Sequence, residues 1–224
     1  MIILGLSLTI FFYIIALQIK KSFNNSLLNP VLVAATGIII TILVTPLSYE
    51  EYIEGGKLIG NSLGPVVVLL AIPLYRHRDT IKKNLLPIMI GILVSIVSSV
   101  MMVVGFSKLF GFSNELMMTL LPKSITTPMA IEVSAMLKGI PDITVITVII
   151  TGILGATIAP VVMKLGKVKS EVSRGISMGA TSHGIGTSKA MEMSDEAGAM
   201  SGLAMGLTGV TFVLLTSVFV LIFY

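Results

Sequence analysis

The sequence contains no cysteine and no tryptophan, and only 12% of its 224 residues are charged. Without cysteine, the chain cannot form disulfides, thiolate metal sites or a cysteine nucleophile. A typical soluble domain is about 25% charged. Half that fraction, in a chain that is 54% hydrophobic with a mean hydropathy of +1.01, predicts an integral membrane protein.

The sequence also lacks the motifs of soluble enzymes. It has no phosphate-binding G-x-x-x-x-G-K loop, no H-E-x-x-H and no G-x-S-x-G, and the two histidines, His77 and His183, are too far apart to suggest a metal site. The net charge of +4 does not indicate nucleic-acid binding, because the basic residues cluster in short loops between apolar runs. We therefore expect no enzymatic activity, no cofactor, no metal and no nucleic acid.

Apolar runs divide the chain into eight segments. These are Ile2–Ile19, Val31–Pro46, Leu63–Tyr75, Leu85–Phe106, Leu116–Leu137, Ile143–Met163, Gly175–Met191 and Ala197–Phe223. Most are long enough to cross a bilayer as helices. The pattern predicts an all-α polytopic membrane protein with seven or eight membrane segments, beginning with a retained first span. Between the second and third segments we expect an acidic loop, Glu50–Glu54, followed by a flexible Gly55-Gly56 joint.

An internal repeat is suggested by a shift of 115 residues. It aligns Thr36-Gly37 with Thr151-Gly152 and Gly64 with Gly179, and it superposes segments one to four on five to eight. We treat the chain as one domain with repeat halves 1–115 and 116–224, although chance identities in a Gly- and Ile-rich chain remain an alternative. Paired short segments interrupted by Gly or Pro, here the third (with Gly64-Pro65) and the seventh, are typical of transporter binding sites.

The distribution of Lys and Arg predicts the topology. The Arg76–Lys83 and Lys164–Arg174 clusters both indicate the inner side of the membrane. Three segments separate them, so one must return to its own side. Leu116–Leu137 is the natural choice because the motif P-K-S-I-T-T-P at Pro122–Pro128 splits it. We predict a re-entrant or broken segment there, and leave open whether residues 175–191 cross or re-enter.

The proline-bracketed motif predicts half of a solute site. Thr127 and Pro128 suit the N-cap and first position of a half-helix running towards Met136. Lys123, with the hydroxyls of Ser124, Thr126 and Thr127, would then offer a cation and donors to an anion near the helix N-terminus. The alternative is an ordinary loop from which Lys123 reaches the membrane surface.

Glu132 lies one turn into this half-helix. A carboxylate at membrane depth is costly, and protonation would relieve that cost, so Glu132 is a candidate proton-coupling residue. The alternative is a carboxylate stabilised by the helix N-terminus and close to water.

The second predicted half is Met178–Lys189, a small, polar stretch inside an apolar region. The residues that we predict to bind solute there are Thr181, Ser182, His183, Gly184, Gly186, Thr187 and Lys189. Glycines admit a solute or another backbone closely, Lys189 offers a countercharge, and His183 is a second proton-coupling candidate. The alternative, a small-residue face for helix packing, explains the glycines but not the hydroxyls, His183 and Lys189.

Three motifs together resemble the LrgB/CidB-like family of bacterial membrane proteins. They are L-L-P-K-S-I-T-T-P-M-A-I at Leu120–Ile131, T-G-I-L-G-A at Thr151–Ala156 and G-A-T-S-H-G-I-G-T-S-K-A at Gly179–Ala190. The resemblance covers essentially the whole chain, and a related domain forms the carboxyl-terminal half of the plastidal glycolate/glycerate translocator. It implies a multi-pass protein of the bacterial cytoplasmic membrane with a separate LrgA/CidA-like membrane partner.

Two functions follow as expectations from the resemblance and the motifs. One is secondary transport of a small monocarboxylate such as pyruvate or glycolate. The other is antiholin-like regulation of murein hydrolases and autolysis without transport. Interrupted, charged segments favour transport, since a scaffold needs none. The solute, the coupling ion and homo-oligomerisation stay open.

Overall fold

The computed structural model describes residues 2–23, 30–62, 69 and 71–223. Within these ranges the chain is helical and contains no strand, which confirms the all-α prediction. The chain forms two compact units, Met1–Ala71 and Ile72–Tyr224.

The first unit contains three helices: α1 (Ile2–Phe23), α2 (Pro30–Val44) and α3 (Tyr49–Asn61). α1 packs against both of the others. Its contact with α3 is backbone to backbone, because a Cβ added to Gly5 would clash with the carbonyl of Tyr52 and lie 3.1 Å from the Cα of Gly55. Small residues at such crossings let membrane helices approach closely.

The acidic segment Glu50–Glu54 is helical, so the prediction of a loop there is wrong. Ser48 and Glu51 form a capping box, in which Glu51 N donates to Ser48 Oγ (3.2 Å) and Ser48 N donates to Glu51 Oε2 (3.0 Å). This reciprocal pair satisfies two amide donors that a helix start leaves free. Gly55 and Gly56 continue the helix and are not a flexible joint.

The second unit contains eight helices in its described part: α4 (Ala71–Arg76, which begins at the boundary), α5 (Arg78–Lys83), α6 (Leu85–Phe110), α7 (Asn114–Leu120), α8 (Thr127–Met136), α9 (Pro141–Leu165), α10 (Glu171–Met193) and α11 (Asp195–Phe223). A 3₁₀ turn, Leu121–Ser124, lies between α7 and α8.

Local capping chemistry sets several of these helix ends. The hydroxyls of Ser113, Ser170 and Ser194 accept amide hydrogen bonds at the starts of α7, α10 and α11, as N-cap serines do. α6 ends at Gly111, whose φ of 67° lies in the left-handed region that terminates helices.

The core of the second unit lies between α6, α8, α10 and α11. Ile88, Ile92 and Ile96 supply one buried stripe of α6 at helical spacing. α10 and α11 form a hairpin joined by Ser194 alone, and they approach closely because a side chain at Gly179 would clash with the carbonyl of Ser201. The packing role considered for the glycines is therefore real at Gly179.

Four described helices are long and apolar enough to cross a membrane. They are Ile2–Phe23, Leu85–Phe110, Pro141–Leu165 and Asp195–Leu221. The chain is therefore a multi-pass membrane protein. The larger number of seven or eight segments and the repeat remain predictions. Gly64-Pro65, on which the repeat partly depends, lies outside the described residues.

Candidate functional site

The break predicted at Pro122–Pro128 is present. The chain leaves α7 through the 3₁₀ turn that contains Pro122, then runs extended through Ile125 and Thr126 into α8. The N-cap is Thr126, one residue before the predicted Thr127, and its side chain makes no capping hydrogen bond. Pro128 lies in the first turn of α8, where its missing N–H costs nothing.

The segment then turns back on itself. Ile140, beyond the end of α8, donates its amide to Thr119 Oγ1 of α7 (2.9 Å), and Thr144 Oγ1 donates to Thr119 O (2.9 Å). α7 has seven residues and α8 ten, so they extend about 10 and 15 Å, against about 30 Å for a bilayer core. Neither helix is long enough to cross alone.

Lys123 is held at the tip of this hairpin by two serines. Its Nζ lies 3.2 Å from Ser99 Oγ and 3.3 Å from Ser124 Oγ, and the two hydroxyls lie 3.0 Å apart. The amine is half-buried, and it forms no ion pair with a carboxylate of the described residues. When protonated, Lys123 therefore has no counterion in the described part of the chain.

A half-open cavity of about 500 Å³ lies in front of this ammonium. Its polar lining consists of Lys123 with the hydroxyls of Ser95, Ser98, Ser99, Ser124, Ser177 and Thr181. Gly91, Val94, Met102, Ile176 and Ala180 supply the apolar remainder. The lining residues that the structure describes thus present one cation, six hydroxyls and no carboxylate, which is an environment for an anion.

The hydroxyls of this cavity differ in how far they are already engaged. Ser95 of α6 donates to Ala180 O of α10 (3.1 Å), which ties the two helices together at the cavity wall, and Thr181 donates to Ser177 O within α10 (2.7 Å). Ser98 and Ser177 are exposed, and their hydroxyls have no hydrogen-bond partner in the described part of the chain. These two are free to bind a solute.

The predicted interruption of the seventh segment is a kink at His183. Its backbone has φ 42° and ψ −133°, a conformation that non-glycine residues rarely adopt. Thr187 Oγ1 donates to the His183 carbonyl (2.9 Å) and lies 3.0 Å from Ser201 Oγ. The hydroxyl of Thr187 thus links the backbone at the kink to α11.

The buried ring of His183 is locked against α9. Its Nε2 donates to Val148 O (2.9 Å), and the ring lies against Gly152, where an added Cβ would be 2.8 Å from Nε2. Gly155, one turn later, leaves room for Ser182, with whose hydroxyl a Cβ would clash. The two glycines of the T-G-I-L-G-A motif thus accommodate the kink of α10.

The structure brings some of the predicted site residues together and leaves others apart. Lys123, Ser124 and Thr181 line the cavity, and Ser182 contacts Thr181 through a 3.1 Å hydroxyl pair. His183, Gly186 and Thr187 are buried in the packing of α9, α10 and α11, whereas Thr126, Thr127 and Gly184 are not among the lining residues. The prediction of a site between the two interrupted segments thus matches the cavity only in part.

Two charged candidates lie away from the cavity lining. Lys189 pairs with Glu192 on the same helix at 2.8 Å, and Glu132 is exposed on α8. Lys189 is therefore not part of the cavity around Lys123. His183 and Glu132 remain candidates for proton coupling.

Sequence reasoning missed the contribution of α6. Ser95, Ser98 and Ser99 recur at i, i+3 and i+4, which places three hydroxyls on one face of an otherwise apolar span. This spacing of serines could have predicted a polar helix face from the sequence alone. Ser177, one turn before Thr181 on α10, was missed in the same way.

Comparisons with known proteins give one consistent result. The model of the LrgB-like family matches residues 9–222. "Holin-like protein CidB" of Staphylococcus epidermidis is 41% identical over 222 residues, which cover 99% of this chain and 97% of that protein. "Holin-like protein CidB" of Staphylococcus aureus is 38% identical over the same shares. "Uncharacterized protein YxaC" of Bacillus subtilis is 39% identical over 91% of this chain and 88% of that protein. No solved structure matches the chain.

Proposed function

The chain belongs to the LrgB-like family, and from that premise and the cavity around Lys123 we propose that it transports a small monocarboxylate of the pyruvate or glycolate type. The observation that supports this most is the uncompensated ammonium of Lys123 in a hydroxyl-lined cavity of a membrane protein. A carboxylate supplies the missing negative charge and accepts hydrogen bonds from the hydroxyls around it.

The serines around Lys123 explain how such a site would select a carboxylate over a neutral solute. Ser99 and Ser124 fix the ammonium before solute arrives, so little ordering is needed on binding. Ser98 and Ser177 then offer unengaged donors to the solute's remaining oxygens. A neutral solute of the same size would leave Lys123 without a counterion, which is costly in a partly desolvated cavity.

The two interruptions are the natural moving parts of this transporter. Lys123 and Ser124 belong to the 3₁₀ turn, and Thr181 lies two residues before the kink at His183. Broken segments in transporters line the solute path and shift during alternating access. Any coupled proton would be carried by His183 or Glu132. We propose His183 first because it is the residue at which α10 kinks.

The partner expected from the family resemblance is an LrgA/CidA-like membrane protein in the bacterial cytoplasmic membrane. The decisive experiment reconstitutes the chain in proteoliposomes with and without this partner and measures uptake of labelled pyruvate and glycolate under pH and ion gradients. We expect saturable uptake of at least one of these acids. The absence of saturable uptake under every gradient, with the partner present, would refute transport.

A second function is favoured by a different observation. The relatives bear the name "Holin-like protein CidB", which fits a regulator of murein hydrolase activity and autolysis better than it fits a transporter. In this second proposal the chain restrains or assists a holin-like partner. Deleting its gene should change autolysis, and complementation with Lys123→Met separates the two functions: rescue supports regulation without transport, whereas failure of a correctly inserted variant links autolysis to the cavity.

A further inference from the structure

A second cavity, of about 380 Å³, lies beside the first and has the opposite chemistry. Its walls include Ile96, Val100 and Val104 of α6, Leu121 of the 3₁₀ turn, and Phe212 and Leu215 of α11. Among the described residues of its lining, Thr216 alone has a polar side chain. Nothing in the proposed transport of a carboxylate uses this space.

Water does not suit this cavity, because apolar cavities of this kind stay dry unless polar groups hold the water. The space opens at a rim of α11, where Leu215 and Phe219 are 51% and 41% exposed. α6 and α11 are two of the four membrane-length apolar helices. The rim therefore faces the hydrocarbon of the bilayer.

The volume of the cavity distinguishes between apolar occupants. A helix is about 10 Å wide, so a single 5.4 Å turn already occupies roughly 400 Å³. The cavity thus has about the volume of a single helix turn, so most of a partner helix would lie outside it. A flexible hydrocarbon chain enters such a space without requiring a matching surface on either side of it.

We propose that this cavity binds one acyl chain of a membrane lipid. The acyl chain inserts past Leu215 and Phe219 and ends among Ile96, Val100 and Phe212. The attraction is the contact of aliphatic with aliphatic and aromatic carbon, which an empty cavity forfeits. This assignment does not depend on transport of a carboxylate.

The two cavities share a wall, so an acyl chain bound in the apolar cavity also affects the polar one. Along α6, Ser95 and Ser99 line the polar cavity, whereas Ile96 and Val100 line the apolar one. In the 3₁₀ turn, Leu121 lines the apolar cavity two residues before Lys123 enters the polar one. An acyl chain therefore supports the wall that positions Lys123.

The absence of tryptophan from the chain allows a direct test with single-tryptophan variants. Phe212→Trp places the reporter at a cavity residue that is only 6% exposed. The purified chain is reconstituted with phosphatidylcholine that carries bromine on its acyl chains, which quenches tryptophan on contact. Val97→Trp is the positive control, since Val97 is 54% exposed on α6, another membrane-length helix, and lines neither cavity.

We expect quenching of the Phe212→Trp reporter comparable with that of Val97→Trp, and its loss when Val104→Phe fills the cavity. Val97→Trp should be quenched equally with and without Val104→Phe. If Phe212→Trp does not insert, Leu121→Trp serves as the reporter. No quenching of a correctly inserted cavity reporter, or quenching unchanged by Val104→Phe, overturns the proposal. Quenching that rises as protein is diluted in lipid shows that a second copy fills the space, and it overturns the proposal equally.

Discussion

The imidazole of His183 lies so close to Gly152 that a methyl group at position 152 would be 2.8 Å from its Nε2, while the same nitrogen donates to Val148 O one turn earlier. The kink of α10 and the glycine of α9 are therefore one structural unit. Gly152 and His183 can each be replaced separately to test this contact.

Gly152→Ala is expected to destabilise the protein. The added methyl group forces the ring or the helix to shift, and overpacking of this kind costs about 1–3 kcal/mol. Gly105→Ala on α6 is the control, because no neighbouring atom of the described residues lies within 4 Å of its Cβ position, and replacing a helical glycine with alanine gains about 0.5–1 kcal/mol. Reversible unfolding in mixed micelles measures both. Equal stability of the two variants would contradict the contact.

The strain at His183 predicts an unusual order of stabilities. In an ordinary helix interior, alanine is more stable than glycine by about 1 kcal/mol. At the backbone conformation of His183, alanine retains strain of about 1–3 kcal/mol, which glycine avoids. Both His183→Ala and His183→Gly lose the bond to Val148 O, so their difference isolates the backbone. We expect His183→Gly to be the more stable in the same unfolding assay, whereas a more stable alanine variant would show that the kink is not strained.

The breaks were predictable from sequence because their causes are local. Pro122 and Pro128 each remove an amide donor within a short stretch, so the pair predicted a break without knowledge of the fold, whereas the single Pro160 lies inside α9. The helix at Glu50–Glu54 was equally local, since Ser48 and Glu51 have the spacing of a capping box, but the acidic composition was taken to indicate a loop. The capping box was thus visible in the sequence, and the interpretation of this segment as a loop overlooked it.

The partners of the site residues were less predictable, because they depend on tertiary packing. Lys123 and Lys189 both lie in interrupted segments, yet Lys123 meets Ser99 from another helix, whereas Lys189 meets Glu192 three residues away. The i, i+3 pairing of Lys189 was readable from sequence. The 24-residue separation of Ser99 and Lys123 was not.

This difference between the lysines gives a paired prediction for transport. Lys123→Met removes the one cation among the described residues of the cavity lining. A hydrogen bond to a charged group contributes about 1.5–3 kcal/mol, which corresponds to a loss of roughly 10- to 100-fold in uptake at low solute concentration. Lys189→Met removes a partly exposed ion pair of small energetic value and should leave uptake unchanged.

Labelled pyruvate and glycolate uptake into proteoliposomes, normalised to inserted protein, provides the measurement for both lysine variants. Lys123→Arg is a useful third variant, because it keeps the charge but replaces a compact ammonium with a planar fork. We expect it to retain more uptake than Lys123→Met. Loss of uptake in Lys189→Met with retention in Lys123→Met would reverse our assignment of the solute site.

Two buried threonines in membrane-length helices should respond oppositely to replacement by valine. Thr144 of α9 lies 2.7 Å from Ser134 Oγ and 2.9 Å from Thr119 O, so Thr144→Val leaves buried polar groups without a partner at a cost of about 1–3 kcal/mol. Thr208 of α11 is 2% exposed, and its hydroxyl has no partner among the described residues. Thr208→Val therefore removes an unpaired polar group and should stabilise the protein by about 1 kcal/mol. Because the two substitutions are chemically identical, opposite shifts in the unfolding midpoint must arise from hydrogen bonding.

A destabilising Thr208→Val would mean that this hydroxyl is satisfied in the membrane. A neutral Thr144→Val would mean that the Thr119–Ser134–Thr144 cluster does not hold α7, α8 and α9 together.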